Sequence, residues 1–374
     1  MKKILLAPNS FKECSSSINI TKYLNKILAI HNNLTIKELP ISDGGDGFLD
    51  VCVKLFSLDI LIFETKRPYS NDFFAVRVGY SPEQKLLYIE SAEVIGLKSI
   101  PLDMRHPLSL NSKGLGDLFK LIIESGLNVD NIILGVGGTG TSDLGLGFCS
   151  AFGLKLYDIF DKEVNIVPEN YYSVNNLEWE EAKLPFQIEV IADVDNPLLG
   201  ENGAVRSFAE QKGATKSEIE ALELGFEKLI KLFYNKGITR LNDELNGAGG
   251  GLAAGLQIFF NAKIIKSRKF IADMFMEEIK HFAPNYVITG EGAFDKQSLM
   301  DKGAKVIIDI CEAHHIPVFL VSGIIDKNSL TGFGKGVIPI ELQAFFKSKN
   351  ESIENFEKGL EFAAEKIINY ISGA

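Results

Sequence analysis

Cysteine, histidine and tryptophan are all scarce: four, five and one in 374 residues. The cysteines stand at 14, 52, 149 and 311, with no C-x-x-C pair and no histidine cluster beside them. That spacing speaks against a zinc site or a disulfide framework, and a reducing compartment is the expectation. Long apolar runs are also missing. The start, "MKKILLAPNSFK", has two lysines and five apolar residues before Asn9. It is too short for a signal peptide or a bilayer span and reads as a first strand. A cytoplasmic protein with no membrane partner is expected. Positive charge is short as well: the formal net charge is −10, and basic clusters are limited to stretches such as "KSRK" at 266–269. A broad nucleic-acid surface is therefore not expected. A small anionic substrate remains compatible, because a site can be locally positive. No G-x-x-x-x-G-K-[ST] or G-x-S-x-G motif occurs, nor any internal repeat or low-complexity tract.

What the chain does have is glycine, 34 residues of it, placed after short apolar runs. "KILLA" (3–7) reads as a buried strand, 17–30 as a helix, "TIKEL" (35–39) as a second strand and 48–56 as a second helix. Strands and helices alternate again near the other end: strand 286–289, helix 298–314, strand 316–323, strand 336–340 and an amphipathic helix 351–371. Such alternation predicts a parallel sheet. The middle has another texture. Residues 73–80 and 85–92 resemble a hairpin around a Ser-Pro turn, followed by a helix ending at Gly126, strands 131–135 and 186–193, and a long helix 214–234. The expected architecture is α/β: a Rossmann-like parallel-sheet domain built from both chain ends (1–65 and 281–374), with a second, mixed α/β domain inserted at 66–280.

Six loops carry chemistry-bearing residues. "APNSFKE" (7–13) leaves the first strand at its carboxyl end, where open α/β sheets bind ligands; Asn9 and Ser10 can cap or hydrogen-bond, and Lys12 can face an anion. "SDGGDG" (42–47) sets Asp43 and Asp46 around glycines and can offer oxygens to a hard cation. In "GVGGTGTSD", Gly135, Gly137 and Gly140 match G-x-G-x-x-G, but the sequence after them is poorly helical, unlike a dinucleotide fingerprint. An anion nest is the looser reading, with backbone N–H groups of Gly137 and Gly138 and hydroxyls of Thr139, Thr141 or Ser142. Asp143 would crowd a phosphate unless it caps the next helix or meets a metal. "ADVDNPLLGENGA" brings Asp193 and Asp195, two apart and able to converge; beyond it Gln211 and Lys212 are either polar contacts or the approach to a helix. "NGAGGGLAAG" concentrates Gly249, Gly250 and Gly251, suited to a close backbone approach or a hinge. "TGEGAFDKQSLMDKGAK" supplies Glu291, Asp295 and Lys302. Carboxylates, glycine nests and lysines at strand ends suit phosphoryl transfer, so residue types alone point to a small-molecule kinase or phosphatase.

"LAPNSFKE", "PISDGGDG", "ESAEVIGL", "GVGGTGTSDLGLGF", "DVDNPLLGENGA" with "QKGA", "GGGLAAGL" and "TGEGAFDKQS" occur in this order. In that order the chain resembles the bacterial glycerate kinase family of the first type. The resemblance implies an inserted domain facing a Rossmann-like one, with the active site in the cleft, and ATP- and Mg²⁺-dependent phosphorylation of glycerate, commonly on the 2-hydroxyl. It implies that Gly137, Gly138, Thr139, Thr141, Gly249, Gly250, Gly251 and Lys302 bind the nucleotide. Lys12 and Lys302 would supply positive charge. Asp43, Asp193 and Glu291 are candidates for magnesium, and Asp193 or Asp195 for orienting or deprotonating the hydroxyl. Ser10, Asp43, Asp46, Asp143, Glu291 and Asp295 would meet the substrate. The chain departs from the family pattern at Asn9, Asp46, Phe48, Ser142, Leu144, Ala293-Phe294 and Asp301. At Ala293 the family usually has arginine, a fork-shaped partner for an anion. Three rivals stay open: a nicotinamide oxidoreductase using the G-x-G-x-x-G, a non-catalytic hydroxy-acid sensor, and a structural protein. The oligomeric state is open between monomer and homodimer.

Overall fold

The computed structural model describes all residues except 12–13, 194–195, 240–243, 300–302 and 374. The chain forms two compact units: Met1–Asp43 with Ser267–Ala374, and Gly44–Lys266.

The first unit is built on a five-stranded parallel sheet. Its order is Val337–Glu341, Val318–Ser322, Tyr286–Thr289, Lys2–Leu6 and Leu34–Glu38. The inner strands are continuous apolar runs because helices cover both faces: Ile4, Leu5 and Leu6 are buried, as is every residue of Val318–Ser322. Helix Ser17–Leu28 starts where the Ser16 side chain accepts from the Asn19 N–H at 3.2 Å. It packs Ile20 and Leu24 with Leu360, Ala363 and Ile367 of helix Phe356–Gly373 over the sheet. The single helix expected over 351–371 is two, Lys349–Glu354 and Phe356–Gly373. Of the helix expected over 298–314, Gly303–Ala313 is helical, Ser298, Leu299 and His314 lie in turns, and 300–302 fall outside the described residues.

The second unit holds a six-stranded mixed sheet, in the order Lys263–Lys266, Gln187–Ala192, Asn131–Gly135, Leu86–Glu90, Phe73–Ser81 and Asp59–Lys66. The first four run parallel and the last three antiparallel. The predicted hairpin is present, with Gly79 opposite Tyr88. Sequence reading missed strand Asp59–Lys66. It lies at the sheet edge with Ile60 and Ile62 exposed, so its pattern lacks a clean buried alternation. Strands of two or three residues, Lys155–Tyr157, Glu163–Val164 and Asn176–Glu178, make a small sheet too short to show periodicity. Helix Lys216–Asn235 begins with a capping box between Thr215 and Glu218. The bounds at 43/44 and 266/267 differ from the expected 65/66 and 280/281. Helix Phe48–Phe56 buries Phe48, Leu49 and Cys52, the strand Asp59–Lys66 pairs with Phe73–Ser81, and helix Ser267–Phe282 belongs to the first unit. Among the described residues no helix is long and apolar enough to cross a membrane.

Candidate active site

In the first unit, a cavity of about 270 Å³ opens where loops leave the carboxyl ends of the parallel strands, the usual place for ligands in such sheets. Ser10, Asp43, Glu291, Ala293 and Asp295 line it, with Phe11, Ile324 and Phe356 as apolar wall. Backbone ties fix these loops: the Ala7 N–H donates to Ile288 and the Asn9 N–H to Gly290, both at 2.8 Å. The Asn9 side chain accepts from the Ser10 N–H at 2.7 Å and donates to Asp43 Oδ2 at 3.4 Å. Gly290 permits the approach of two strand ends, since a Cβ there would lie 1.6 Å from the Val321 carbonyl oxygen. Asp295 Oδ1 accepts from the N–H groups of Gln297 and Ser298, at 2.8 and 3.2 Å, and so closes its own turn. Lys12 and Lys302 lie outside the described residues.

The glycine loops belong to the second unit. After strand Asn131–Gly135 the chain does not enter a helix until Leu146. A dinucleotide fingerprint requires its glycines to open a helix, so this geometry removes the main support for nicotinamide binding. Three loops meet here instead. The Gly137 N–H donates to Gly44 at 2.9 Å, and the Leu144 N–H donates to Gly250 at 3.2 Å. Gly138, Gly249, Gly250 and Gly251 all have positive φ, between 68° and 86°, which side chains other than glycine adopt only with strain. Gly249–Gly251 lead directly into helix Leu252–Phe260. Asp46 reaches the same loops: a Cβ on Gly138 would lie 2.4 Å from its Oδ1. It also pairs with the exposed Lys98 at 2.6 Å.

Asp143 serves the scaffold. Fully buried, it accepts from the N–H and hydroxyl of Ser112 at 2.7 and 2.8 Å, and from the N–H groups of Gly145 and Gly147 at 3.3 and 2.9 Å. Tyr171 donates its hydroxyl to the Asp143 carbonyl at 2.9 Å. Burial raises the carboxyl above its ordinary pKa, against the pull of these hydrogen bonds. The side chain expected to meet substrate thus holds the exit of the glycine loop. Next to it Leu144 sits in the left-handed region at φ 55°, where the family usually has glycine; its fully buried side chain joins the apolar core around Leu146, Leu198 and Ala254.

Sequence reading did not single out Glu90, and it left Lys212 open between a polar contact and the approach to a helix. Glu90 ends a buried strand, and its carboxylate accepts from the N–H groups of Gly47 and Leu49 at 3.1 and 3.0 Å, at the start of helix Phe48–Phe56. Burial pushes it up to about 7, although those hydrogen bonds pull the other way. Lys212 is 4% exposed and donates to the Thr141 carbonyl at 2.6 Å and to Thr139 Oγ1 at 3.4 Å. Burial lowers it to about 8, while the charge of Asp143 acts the other way. A lysine in "AEQKGA" carries no local mark of burial.

Of the candidate magnesium ligands, Asp43 and Glu291 line the cavity of the first unit. Asp193, half-buried, follows strand Gln187–Ala192 in the second, and Asp195 lies outside the described residues. Among the described residues no three His, Cys, Asp or Glu side chains gather as a ready metal set. Two carboxylates on one cavity nonetheless fit magnesium, which commonly takes one or two protein carboxylates and completes its shell with water and phosphate.

The profile of the glycerate kinase family matches residues 4–372. A curated glycerate kinase of Halalkalibacterium halodurans is 29% identical, covering 98% of this chain and 97% of the relative. The glycerate 2-kinase of Escherichia coli K12 is 30% identical, covering 86% of this chain and 85% of its own. In three dimensions, a candidate glycerate kinase 2 from Salmonella typhimurium LT2 matches with a TM-score of 0.78 and 27% identity, covering 100% of this chain and 98% of the other. A sequence match over nearly the whole length, on a fold of the same kind, establishes the lineage: the chain belongs to the glycerate kinase family.

Proposed function

We propose that the protein transfers the γ-phosphoryl group of ATP to the 2-hydroxyl of glycerate, giving 2-phosphoglycerate and ADP. The observation that carries this reading is the meeting of glycine loops in the second unit, where Gly138 and Gly249–Gly251 turn with positive φ next to a helix N-terminus. Backbone N–H groups in such turns, and the positive end of a helix, favour phosphate. The hydroxyl oxygen attacks the γ-phosphorus, the bond from that phosphorus to the β–γ bridging oxygen breaks, and the hydroxyl proton passes to a carboxylate, Asp193 or Asp195. Gly137, Gly138, Thr139, Thr141 and Gly249–Gly251 hold the phosphates, and Lys12 and Lys302 add positive charge. Ser10, Asp46 and Asp295 orient the acceptor. Asp43, Asp193 or Glu291 would hold Mg²⁺, which when bound offsets phosphate charge. The protein works in the cytoplasm on small molecules.

Release of ADP from ATP and Mg²⁺, measured with and without D-glycerate, tests the reaction. Glycerate-dependent ADP is expected; background release alone, from folded protein, would sink it. A second acceptor has one observation in its favour: Ala293 lines the cavity, so an arginine is missing where the family pattern supplies one. Another small hydroxy-acid would then outperform glycerate in the same assay.

A further inference from the structure

Lys212 and Thr141 are two buried polar groups whose requirements the protein does not meet by itself. Lys212 ends a short turn, Glu210–Lys212, and runs inward to the glycine loops. An ammonium withdrawn from water costs several kcal/mol unless a counter-charge or full hydrogen bonding offsets it. Here it has one short bond to a carbonyl and one long bond to a hydroxyl. Asp143, the acid whose charge acts on it, is committed to Ser112, Gly145 and Gly147. A mere strut to the Thr141 carbonyl would need only a neutral donor. Thr141 is fully buried, and its Oγ1 has no hydrogen-bond partner, a state that costs roughly 1–3 kcal/mol. Both groups border Gly250, where a Cβ would lie 2.1 Å from the Thr141 carbonyl and 2.9 Å from Lys212 Nζ. Gly250 itself is half-exposed, so the loop that meets solvent has the ammonium directly behind it.

We propose that Lys212 Nζ and Thr141 Oγ1 complete a subsite for an oxyanion, either the phosphate chain of the nucleotide or the carboxylate of the acceptor acid. The assignment rests on the kinase reading and names the groups that give the glycine cradle its charge and its side-chain donor. An oxyanion accepts from both, supplies the missing counter-charge, and also meets the N-terminus of helix Leu252–Phe260. Burial alone holds Lys212 below its ordinary pKa; a bound anion would raise it.

The test uses the full chain and three variants, T141V, T141S and K212M. Binding of inorganic pyrophosphate, ADP and D-glycerate is measured by calorimetry, beside thermal unfolding. T141V should unfold at the wild-type temperature or above it, since it deletes an unpartnered buried hydroxyl. It should also bind the anion at least about tenfold more weakly, with T141S restoring affinity and K212M losing more. Loss confined to pyrophosphate and ADP identifies the phosphate chain, and loss confined to glycerate identifies the carboxylate. Unchanged affinities in both T141V and K212M would overturn the subsite and leave Lys212 a strut. If K212M does not fold, T141V against T141S decides. Wild-type protein that binds none of the three also overturns it. Pyrophosphate binding that weakens in T141V, in a wild type that releases no glycerate-dependent ADP, upholds the subsite and fails the kinase reading, so the two are separable.

Discussion

Three acids of the first unit and two of the second meet opposite surroundings. In the first, Asp43, Glu291 and Asp295 stand on loops at strand ends and line a cavity. In the second, Asp143 and Glu90 are buried and bind backbone N–H groups of their own unit. The same side chain thus serves as a ligand candidate in one place and as scaffold in the other, and the difference is access. A carboxylate on a cavity wall is within reach of a cation or hydroxyl that enters the cavity. One that is buried and bound to N–H groups of its own unit is out of reach of a ligand. The second unit gathers glycine loops, buried hydroxyls and the Lys212 ammonium, the groups proposed above to meet an anion.

Substitutions can break this contrast. The largest effect should fall on Asp143: D143A strands the donors of Ser112, Gly145 and Gly147, and should cost about 3–5 kcal/mol of stability in urea titration. Wild-type stability would mean that the carboxylate is not internal scaffold. At Asp43 the expectation reverses. D43N should unfold with a midpoint close to wild type while glycerate-dependent ADP release drops about 100-fold, or about 2.7 kcal/mol; full turnover would remove Asp43 from the site.

Leu144 sharpens the comparison at the seam of the glycine loop. L144G relieves a left-handed backbone worth about 1–2 kcal/mol, but deletes a buried leucine side chain worth about 2–5 kcal/mol. A net loss of about 2 kcal/mol is expected, and a gain in stability would show that strain dominates. A further effect concerns pH. Glu90 titrates at about 7 folded against 4.5 for an ordinary glutamate, so between those values the folded state binds more protons than the unfolded one. Stability should therefore fall as pH rises from 4.5 to 7 and level off above. E90Q should remove this component, about 3 kcal/mol for a rise of that size. Identical pH–stability curves for E90Q and wild type would place Glu90 in a wetter setting.

Much of the architecture was legible because its signals are local. Continuous apolar runs marked Lys2–Leu6, Tyr286–Thr289 and Val318–Ser322 as buried parallel strands, and the stripe through Leu360, Ala363 and Ile367 marked the last helix. The glycine clusters likewise marked the loops that meet in the second unit. Strand Asp59–Lys66 and the short sheet at 155–178 were not legible, being at an edge or only two to three residues long.

By itself the sequence determined the α/β class, the family and the inventory of glycines, carboxylates and lysines at strand ends, because residue order and short-range periodicity carry that information. Only the tertiary structure decided which members of the inventory face inward. Asp43 and Asp143 look alike in sequence, each following a serine in a glycine-rich loop. Packing gave one a cavity wall and the other the N–H groups of two chain segments. It also drew Lys212, about 70 residues along the chain from Thr141, to the back of the glycine loops. The charge a buried group feels depends on neighbours brought together across the chain, and no local pattern records them.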